Sequence, residues 1–319
     1  MDMIHTVQPK FLTNTPIAIE IYSAEQLSPH CHPHSIEFLY CLLGSASFIV
    51  DHERSMINAG ELVTIEHQNI HCLESAGDNL FLSVHIDLKK TKFDWETLQY
   101  YYFSCATRYC LPHQKRAMEQ IIDLMLSAAY VYSSQPSEAA STDWRRICDA
   151  LMELLVNHFL WFAVEDLTSE ENRKFRERLI DILTYTQQHY KDKITIKQLA
   201  QMEYINENYL SQFLKRTSFH SFTLMLNYVR CFEAQKLLLN TDKSIQEISD
   251  DCGFSSKKYF HKHFKYYWNT TPLQLRKWYE AYISQHPTKA CDKTMESGTY
   301  LKEYITRLHI ARSFGRIGI

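Results

Sequence analysis

The chain has 319 residues, more than the roughly 100–200 of a usual single domain, so we expect two domains with separate cores. Its 45% hydrophobic and 13% aromatic content, with seven Gly and eight Pro, excludes collagen-like and largely disordered classes. No apolar run approaches the ~20 residues that span a bilayer, and residues 1–10 lack a signal-peptide pattern. Nine scattered cysteines without a CxxC pair favour reduced thiols. We therefore expect a cytoplasmic protein that does not contact a membrane.

Charge divides the chain into two parts. Residues 1–172 contain 10 Lys and Arg against 23 Asp and Glu, a net charge of −13. Residues 173–282 contain 18 against 11, a net charge of +7, and residues 283–319 carry +3. This division indicates that only the C-terminal part binds a polyanion.

Short β-branched and aromatic segments separated by turn residues occupy positions 15 to about 90. They predict a small β-barrel or sandwich with strands at Ile17–Tyr22, Glu37–Leu43, Ala46–Asp51, Glu61–Glu66 and Leu80–Asp87. Helical periodicity follows at 113–131 and 143–166, with a loop at 133–142. We expect an α+β protein with a sensor domain at 1–167, a linker at 168–174, an all-helical domain at 175–282 and a tail at 283–319.

The helical part contains an internal repeat. Residues 195–200 (TIKQLA) are echoed by 244–249 (SIQEIS) at an offset of 49, and residues 209–215 (YLSQFLK) by 259–265 (YFHKHFK) at an offset of 50. The one-residue slip falls between the two helices of each copy, where a turn can absorb it. The pattern predicts two copies of one helical hairpin.

Each copy has the start signals of two helices. Thr195 with Gln198, and Ser244 with Glu247, form capping-box patterns, and Asn206 and Ser255 are the expected caps of the second helices. Tyr209, Leu210, Phe213 and Leu214 predict the buried stripe of the first copy's second helix. A short helix, a turn and a helix with a polar outer face suit the major groove of DNA. The predicted DNA-binding residues are Glu207, Asn208, Ser211, Gln212, Lys215, Ser256, Lys257, His261, Lys262 and Lys265. The alternative is a helical repeat that packs only on itself.

These segments resemble a known family. Residues 205–215 (INENYLSQFLK), 228–239 (YVRCFEAQKLLL), 244–248 (SIQEI), 252–256 (CGFSS) and 271–272 (TP) look like the C-terminal domain of the AraC/XylS transcription regulators. The resemblance covers about 178–279. It implies two tandem helix-turn-helix units joined by a helix at about 222–240, which Arg230 and Ala234 help to pack. It also implies that the two units enter major-groove segments about one helical turn, ~34 Å, apart.

The sequence departs from that family's pattern at two positions. Phe219 and Asn269 stand where glycine usually ends each recognition helix. Asn tolerates the left-handed conformation of a helix end, whereas Phe does not. We therefore expect the first recognition helix to end with a different geometry.

A second resemblance lies in the N-terminal part. The spacing of His30, His32, Glu37 and Gly44, followed by Gly60 and His71, resembles the two motifs of the cupin barrel, although Asn58 replaces the usual Pro and His34 offers a competing register. In metal-binding cupins such residues hold a divalent ion, while regulators of the family commonly bind a small organic effector. We expect an effector pocket with no metal and no cofactor, formed by His30, His32, Glu37, Tyr40 and His71.

The sequence thus predicts a cupin-like β-barrel with flanking helices followed by an all-α tandem helix-turn-helix domain. The leading hypothesis is a sequence-specific regulator that is not an enzyme and that binds double-stranded DNA under control of a small-molecule effector. It would act as a homodimer, with RNA polymerase as a further partner. The alternatives are a cupin-type metalloenzyme with an accessory helical domain, and a regulator that responds to no effector. Activation or repression stays open, and the tail, with a helix expected at 300–310, receives no function.

Overall fold

A computed structural model describes residues 5–50, 53–67, 69–98, 101–134, 142–160, 170–217, 219–285 and 287–315. Its strands are β1 (His5–Thr6), β2 (Ile17–Cys31), β3 (Ser35–Leu43), β4 (Ser45–Val50), β5 (Glu53–Asn58), β6 (Leu62–Ile65), β7 (His71–Glu74), β8 (Leu80–Asp87) and β9 (Lys289–Asp292). The larger helices of the N-terminal part are α1 (Trp95–Leu98), α2 (Lys115–Ser134) and α3 (Trp144–His158).

The strands form one sheet that curls into a nearly closed barrel. Its order is β5-β4-β7-β2-β8-β3-β6, with β1 and β9 also paired to β2. All of these pairs are antiparallel except β1 with β2. The expected barrel is confirmed, although β5 and β7 were not among the predicted strands.

Alternation along β3 separates the barrel interior from its outer face. Ile36, Phe38 and Tyr40 lie in a core cluster with residues of α2 and α3, whereas Leu39 belongs to a second cluster inside the barrel. Glu37 shares the inner face with Leu39, because residues two apart on a strand point the same way. The helices therefore cover the outside of the barrel, and its interior holds this second apolar cluster together with the polar side chain of Glu37.

The helical predictions for the N-terminal part are correct in position, with one error in length. α2 occupies the segment predicted at 113–131, but α3 ends at His158, and 161–166 lie outside the described residues. The predicted loop at 133–142 overlaps the end of α2, and 135–141 also lie outside the described residues.

The described residues between 170 and 285 form seven helices: α4 (Glu170–Gln188), α5 (Ile196–Met202), α6 (Glu207–Lys215), α7 (Phe222–Asn240), α8 (Ile245–Asp251), α9 (Lys257–Trp268) and α10 (Pro272–Gln285). The predicted linker at 168–174 is helical from Glu170, and 168–169 lie outside the described residues. Its polar sequence is the first turn of an amphipathic helix whose buried face begins at Phe175.

The tail returns to the N-terminal barrel. Strand β9 pairs with β2, and α11 (Gly298–Gly315), which contains the expected helix, packs on α2. Leu301 is fully buried in the cluster formed by the barrel's outer face and its helices. Among the described residues, none of the helices has both the length and the apolar character that crossing a membrane requires.

Candidate functional site

The first helical hairpin consists of α5 and α6. The Thr195 hydroxyl accepts a hydrogen bond from the Gln198 amide, and the Thr195 amide donates to the Gln198 side chain at 2.8 Å, which completes the predicted capping box. The Asn206 side chain accepts from the Tyr209 amide at 2.7 Å and so begins α6. Both predicted caps are confirmed.

The second hairpin, α8 and α9, repeats this construction. Ser244 and Glu247 form the second capping box. The cap of α9 is Ser256, whose hydroxyl accepts from the Tyr259 amide at 3.2 Å, so the prediction of Ser255 was wrong by one residue. Gly253 in the turn has φ +74°, and an added Cβ would lie 2.5 Å from the Lys191 carbonyl oxygen. Only glycine fits this turn.

Nine residues of α6 and α9 and the cap residue Ser256 were predicted to face DNA. Eight of them are exposed, and Ser211 and His261 are half-buried. Lys258, also exposed in the first turn of α9, was missed, although its place near the helix N-terminus could have indicated it. Tyr209 does not join the buried stripe of Leu210, Phe213 and Leu214: it is 50% exposed, and the Arg178 guanidinium lies 5.7 Å from its ring centre.

Helix α7 connects the two hairpins and is buried along much of its length. Arg230 donates to the carbonyl oxygens of Tyr190 and Asp192, at 2.7 and 3.0 Å, and thereby holds the loop before the first hairpin. Ala234 is fully buried. Both residues pack the connecting helix, as the family resemblance implied.

An arginine holds the loop before the second hairpin in the same way. Arg276 on α10 donates to the carbonyl oxygens of Leu238, Thr241 and Lys243 at 2.8 to 3.1 Å. Each hairpin is therefore fixed by an arginine from the helix that follows it. The two copies therefore share these arginine contacts in addition to the repeated sequence segments.

The ends of the two recognition helices differ as expected. Asn269 follows α9 in the left-handed conformation, with φ +49°. Helix α6 ends at Lys215 without a left-handed cap, and His220 takes the positive φ of +59° instead. Phe219 is buried with its ring 5.5 Å from that of Tyr228.

A pocket of about 810 Å³ opens from the barrel interior. Its walls come from β2, β3 and β8, from the segment that follows β1, and from the tail. The polar residues that line it are Lys10, Glu20, Tyr22, Ser28, His30, His32, Glu37, Ser83, His85, Tyr132, Thr288, Asp292 and Thr294. This size and polarity suit a small organic molecule.

Glu37 lies at the centre of a histidine cluster in this pocket. Its Oε1 accepts from the Ser83 hydroxyl at 2.6 Å, and its Oε2 lies 3.4 Å from His32 Nε2 and 3.2 Å from His71 Nε2. Within the described part of the chain, Glu37 Oε2 and these two Nε2 atoms have no hydrogen-bond partner of suitable geometry. His30 completes the cluster, with its ring centre 4.1 Å from that of His71.

The pKa values of several residues in this cluster are shifted in different directions. Burial opposes the charge of Glu37, but His85, His32 and His71 together hold its pKa well below the usual value. Burial also opposes the charge of His32, yet the Glu37 carboxylate raises the pKa of His32. Burial lowers the pKa of His85 to about 3. Glu37 is therefore ionised at neutral pH, and the neighbouring His85 is neutral.

The donor set also suits a divalent metal ion. His30, His32 and His71 have ligand atoms within 4.8 Å of one another, as do His32, Glu37 and His85. The Nδ1 atoms of the first three lie 2.8 to 3.1 Å from the backbone carbonyls of Ser28, Val7 and Asn69. A neutral imidazole that donates from Nδ1–H to its carbonyl keeps its Nε2 lone pair available as a ligand.

One predicted effector residue lies elsewhere. Tyr40 is three positions from Glu37 on β3, so its side chain points out of the barrel, where its hydroxyl lies 2.9 Å from that of Tyr304. His30, His32 and Glu37 line the pocket, and His71 contacts Glu37 behind it. Ser83 and His85 were missed, although the alternation of polar with apolar residues in β8 could have identified them.

Two family models match the chain. One, described as a helix-turn-helix domain, matches residues 199–277, and the other, a cupin domain, matches residues 19–85. The Escherichia coli K12 protein YijO, named an uncharacterized HTH-type transcriptional regulator, is 31% identical over 107 residues, 34% of this chain and 38% of its own. A Staphylococcus aureus COL protein with the same description is 22% identical over 79% of this chain and 33% of its own. The chain thus spans less than two fifths of the length of either relative.

Among solved structures, wild-type ToxT of Vibrio cholerae with a bound unsaturated fatty acid is 13% identical. It covers 83% of this chain and 96% of its own, with a TM-score of 0.37. The family models fall on the two regions described above, the capped helical hairpins and the barrel with its histidine cluster. They show that the chain contains a cupin domain in its N-terminal part and a helix-turn-helix domain in its C-terminal part.

Proposed function

We propose that this protein is a cytoplasmic transcription regulator that binds double-stranded DNA in a sequence-specific way. The observation that carries the proposal is the duplicated hairpin: two capped helices, α6 and α9, whose outer faces are polar and exposed. The N-terminal turn of each helix is exposed. Side chains in this turn reach base edges when a helix enters the major groove. Helix α7 joins the two units, so that they engage successive groove segments.

Affinity and specificity come from different groups in this proposal. Lys257, Lys262 and Lys265 on α9 neutralise phosphates, which supplies sequence-independent affinity. Asn208 and Gln212 on α6 carry amide groups that pair with adenine edges. The acidic barrel domain stays off the duplex because its charge opposes that of the phosphates.

A small polar effector in the barrel pocket controls the DNA-binding domain in this proposal. The pocket holds both donors and acceptors, and about 810 Å³ is sufficient for a metabolite-sized molecule. We place a homodimer contact on α2 and α3, where the half-buried Leu124 and Leu154 border a surface groove. RNA polymerase is a further proposed partner.

The central experiment compares DNA sequences. Purified protein is titrated into its own promoter region and into a scrambled duplex of equal length, at several salt concentrations. We expect tighter binding to the promoter fragment, by a factor of roughly 10³ or more at physiological salt. Equal affinities at every salt concentration would refute the proposal. Genome-wide mapping of bound sites then gives the operator, and the neighbouring operons suggest the effector.

A second candidate, a cupin-type metalloenzyme, is favoured by one observation. The lone Nε2 atoms of His32 and His71 converge on a carboxylate oxygen that has no hydrogen-bond partner among the described residues. His30, His32, Glu37, His71 and His85 would hold the ion, which would supply Lewis-acid or redox chemistry. Metal analysis of the purified protein distinguishes the candidates, because an enzyme of this kind requires stoichiometric metal and turnover.

A further inference from the structure

The tail contributes a strand to the cupin sheet. In the register of β9 with β2, Asp292 lies opposite Tyr22, Cys291 opposite Ser23 and Ala290 opposite Ala24. The pairing continues beyond the strand: the Lys293 amide donates to the Ile21 carbonyl at 2.7 Å. The Ile21 amide donates to the Thr294 hydroxyl at 2.9 Å, and Thr294 is buried.

Helix α11 anchors this strand on the far side. Leu301 is fully buried, and Gly298 packs so closely on α2 that an added Cβ would lie 3.1 Å from the Cβ of Ser134. The Tyr300 hydroxyl donates to the Leu42 carbonyl at 3.3 Å. The tail is thus fixed to the barrel at both ends of the segment 287–301.

Alternate residues of β9 face the barrel pocket. Ala290 and Asp292 line it together with Pro287, Thr288 and Thr294, whereas Cys291, between them, does not. Lys10 and Glu20 line the same cavity, so this part of the wall carries an ammonium and two carboxylates. The Asp292 carboxylate accepts from the Thr294 amide at 2.9 Å, which lowers the pKa of Asp292 and keeps it ionised.

The residues immediately before this wall belong to α10, the helix that follows the second hairpin. Ile283, in the last turn of α10, also lines the pocket, and α10 is the helix whose Arg276 holds the second hairpin. The Tyr282 hydroxyl donates to Glu74 of β7, and Tyr282 is buried against Ile49 and Cys72 of the barrel. The pocket, the tail and the second hairpin therefore form one continuous set of contacts.

We propose that residues 287–294 form part of the effector site, and that the effector acts on DNA binding by direct contact with this segment. The site takes a small polar molecule that both donates and accepts hydrogen bonds, with Asp292 and Thr288 as contacts supplied by the tail. Occupation of the pocket shifts β9 and, through α10, the second hairpin. The inference rests on the proposed function, and it names the regulation of that same pocket.

The strand provides a matched pair of variants for the test. Ala290→Trp places an indole into the pocket from the tail side. Because the effector is unidentified, this indole serves as the probe that occupies the pocket. Cys291→Trp adds the same side chain to the opposite face of the same strand. Affinity for the promoter fragment is measured for both by fluorescence anisotropy. We expect a change of at least about fivefold for Ala290→Trp, the lower bound of a typical coupling between sites, and less than about twofold for Cys291→Trp.

Equal behaviour of the two variants would overturn the inference. If both match wild type, the pocket face of β9 does not affect DNA binding. If both change affinity equally, only the integrity of the strand matters. A wild-type protein that does not prefer its promoter fragment refutes the proposed function itself, so the two failures are distinguishable.

Hydrogen exchange of the wild-type protein gives a second, independent measurement. Because coupling is reciprocal, binding of the promoter fragment must alter the exchange of amides in 289–294. Amides of α2 near Met125 serve as the internal reference because Met125 is buried in the cluster between the outer face of the barrel and its helices. Unchanged exchange at 289–294 on saturating DNA would contradict the proposal.

Discussion

The two helix-turn-helix units share a construction but differ in charge and strain. Both begin with a capping box, and in both an arginine holds the preceding loop. The second unit exposes four lysines on α9, at 257, 258, 262 and 265, whereas the outer face of α6 carries Glu207 and neutral polar groups besides Lys215. We propose from this difference that the second unit supplies phosphate contacts and the first supplies base recognition.

The turns of the two units show a second difference. The second unit has Gly253 at positive φ, whereas the first has Tyr204, which takes φ +54° with its side chain 97% exposed. A non-glycine residue in this conformation costs roughly 1–2 kcal/mol. The first unit therefore stores strain that the second avoids.

The largest expected effect tests the division of charge. Lys257→Ala/Lys262→Ala removes two cations from α9 and should weaken promoter binding on the order of 100-fold, because a hydrogen bond to a charged group contributes about 1.5 kcal/mol or more. The slope of log affinity against log salt should fall by about 2. Lys302→Ala/Arg307→Ala on α11 removes the same charge from an exposed surface of the tail and serves as the control. A salt slope equal to that of wild type would contradict the division.

The next effect compares the turns. Gly253→Ala should lower the free energy of unfolding by about 2 kcal/mol, since alanine is strained at φ +74° and its Cβ would meet the Lys191 carbonyl. Tyr204→Ala at the corresponding turn should change it by less than about 0.5 kcal/mol, because the side chain is exposed and the backbone is already left-handed. Urea denaturation followed by circular dichroism measures both. Similar losses in the two variants would show that the turns are not strained differently.

A smaller effect concerns base recognition. Asn208→Ala and Gln212→Ala on α6 should each reduce the preference for promoter over scrambled DNA by about 1–2 kcal/mol, as expected for the loss of one base contact. Their salt dependence should stay that of wild type, since neither side chain is charged. Competition titrations with both duplexes measure the preference. If the variants instead weaken binding equally to both duplexes, these side chains of α6 contact phosphates, and the assignment of base recognition to the first unit is wrong.

The smallest effect compares the caps. Asn206→Ala and Ser256→Ala each remove a hydrogen bond to the amide of the third helical residue and should cost about 1 kcal/mol. Because the Asn206 bond is shorter, 2.7 against 3.2 Å, we expect the larger loss in the first unit. Thermal unfolding with Ser255→Ala as control measures this order. If Ser255→Ala lowers the stability as much as Ser256→Ala does, Ser256 is not the specific cap of α9 and the prediction of Ser255 stands.

The helical half was predictable because its signals are local. Capping boxes, hydrophobic spacing and the repeat act within a few residues, so the sequence predicted the boxes at Thr195 and Ser244. The bounds of α7 were implied by the family resemblance. The error at Ser255 arose because two adjacent serines offer the same cap. Tyr209 was expected to be buried from spacing alone, which does not show where Arg178 of a distant helix lies.

The barrel was predictable as a class but less so in detail. β5 has mostly exposed side chains and β7 only four residues, so neither shows a clear alternation of apolar and polar positions. Tyr40 was placed in the pocket because its side chain is polar, although the period of two along β3 opposes this. β9 consists of four exposed residues, KACD, and its partner β2 lies more than 260 positions earlier. Such pairing depends on long-range contacts that no local pattern reports.

The position of β9 has a consequence for biosynthesis. A ribosome translates β9 only after β2 and the entire helix-turn-helix domain, so the nascent barrel sheet lacks that strand while the following domain emerges and folds. During this interval the backbone amides and carbonyls of residues 21–24 lack the partners that β9 and Thr294 later provide. Completion of the barrel sheet therefore follows synthesis of the helical domain, and premature termination after α10 would release a chain with both helical hairpins and an incomplete barrel sheet.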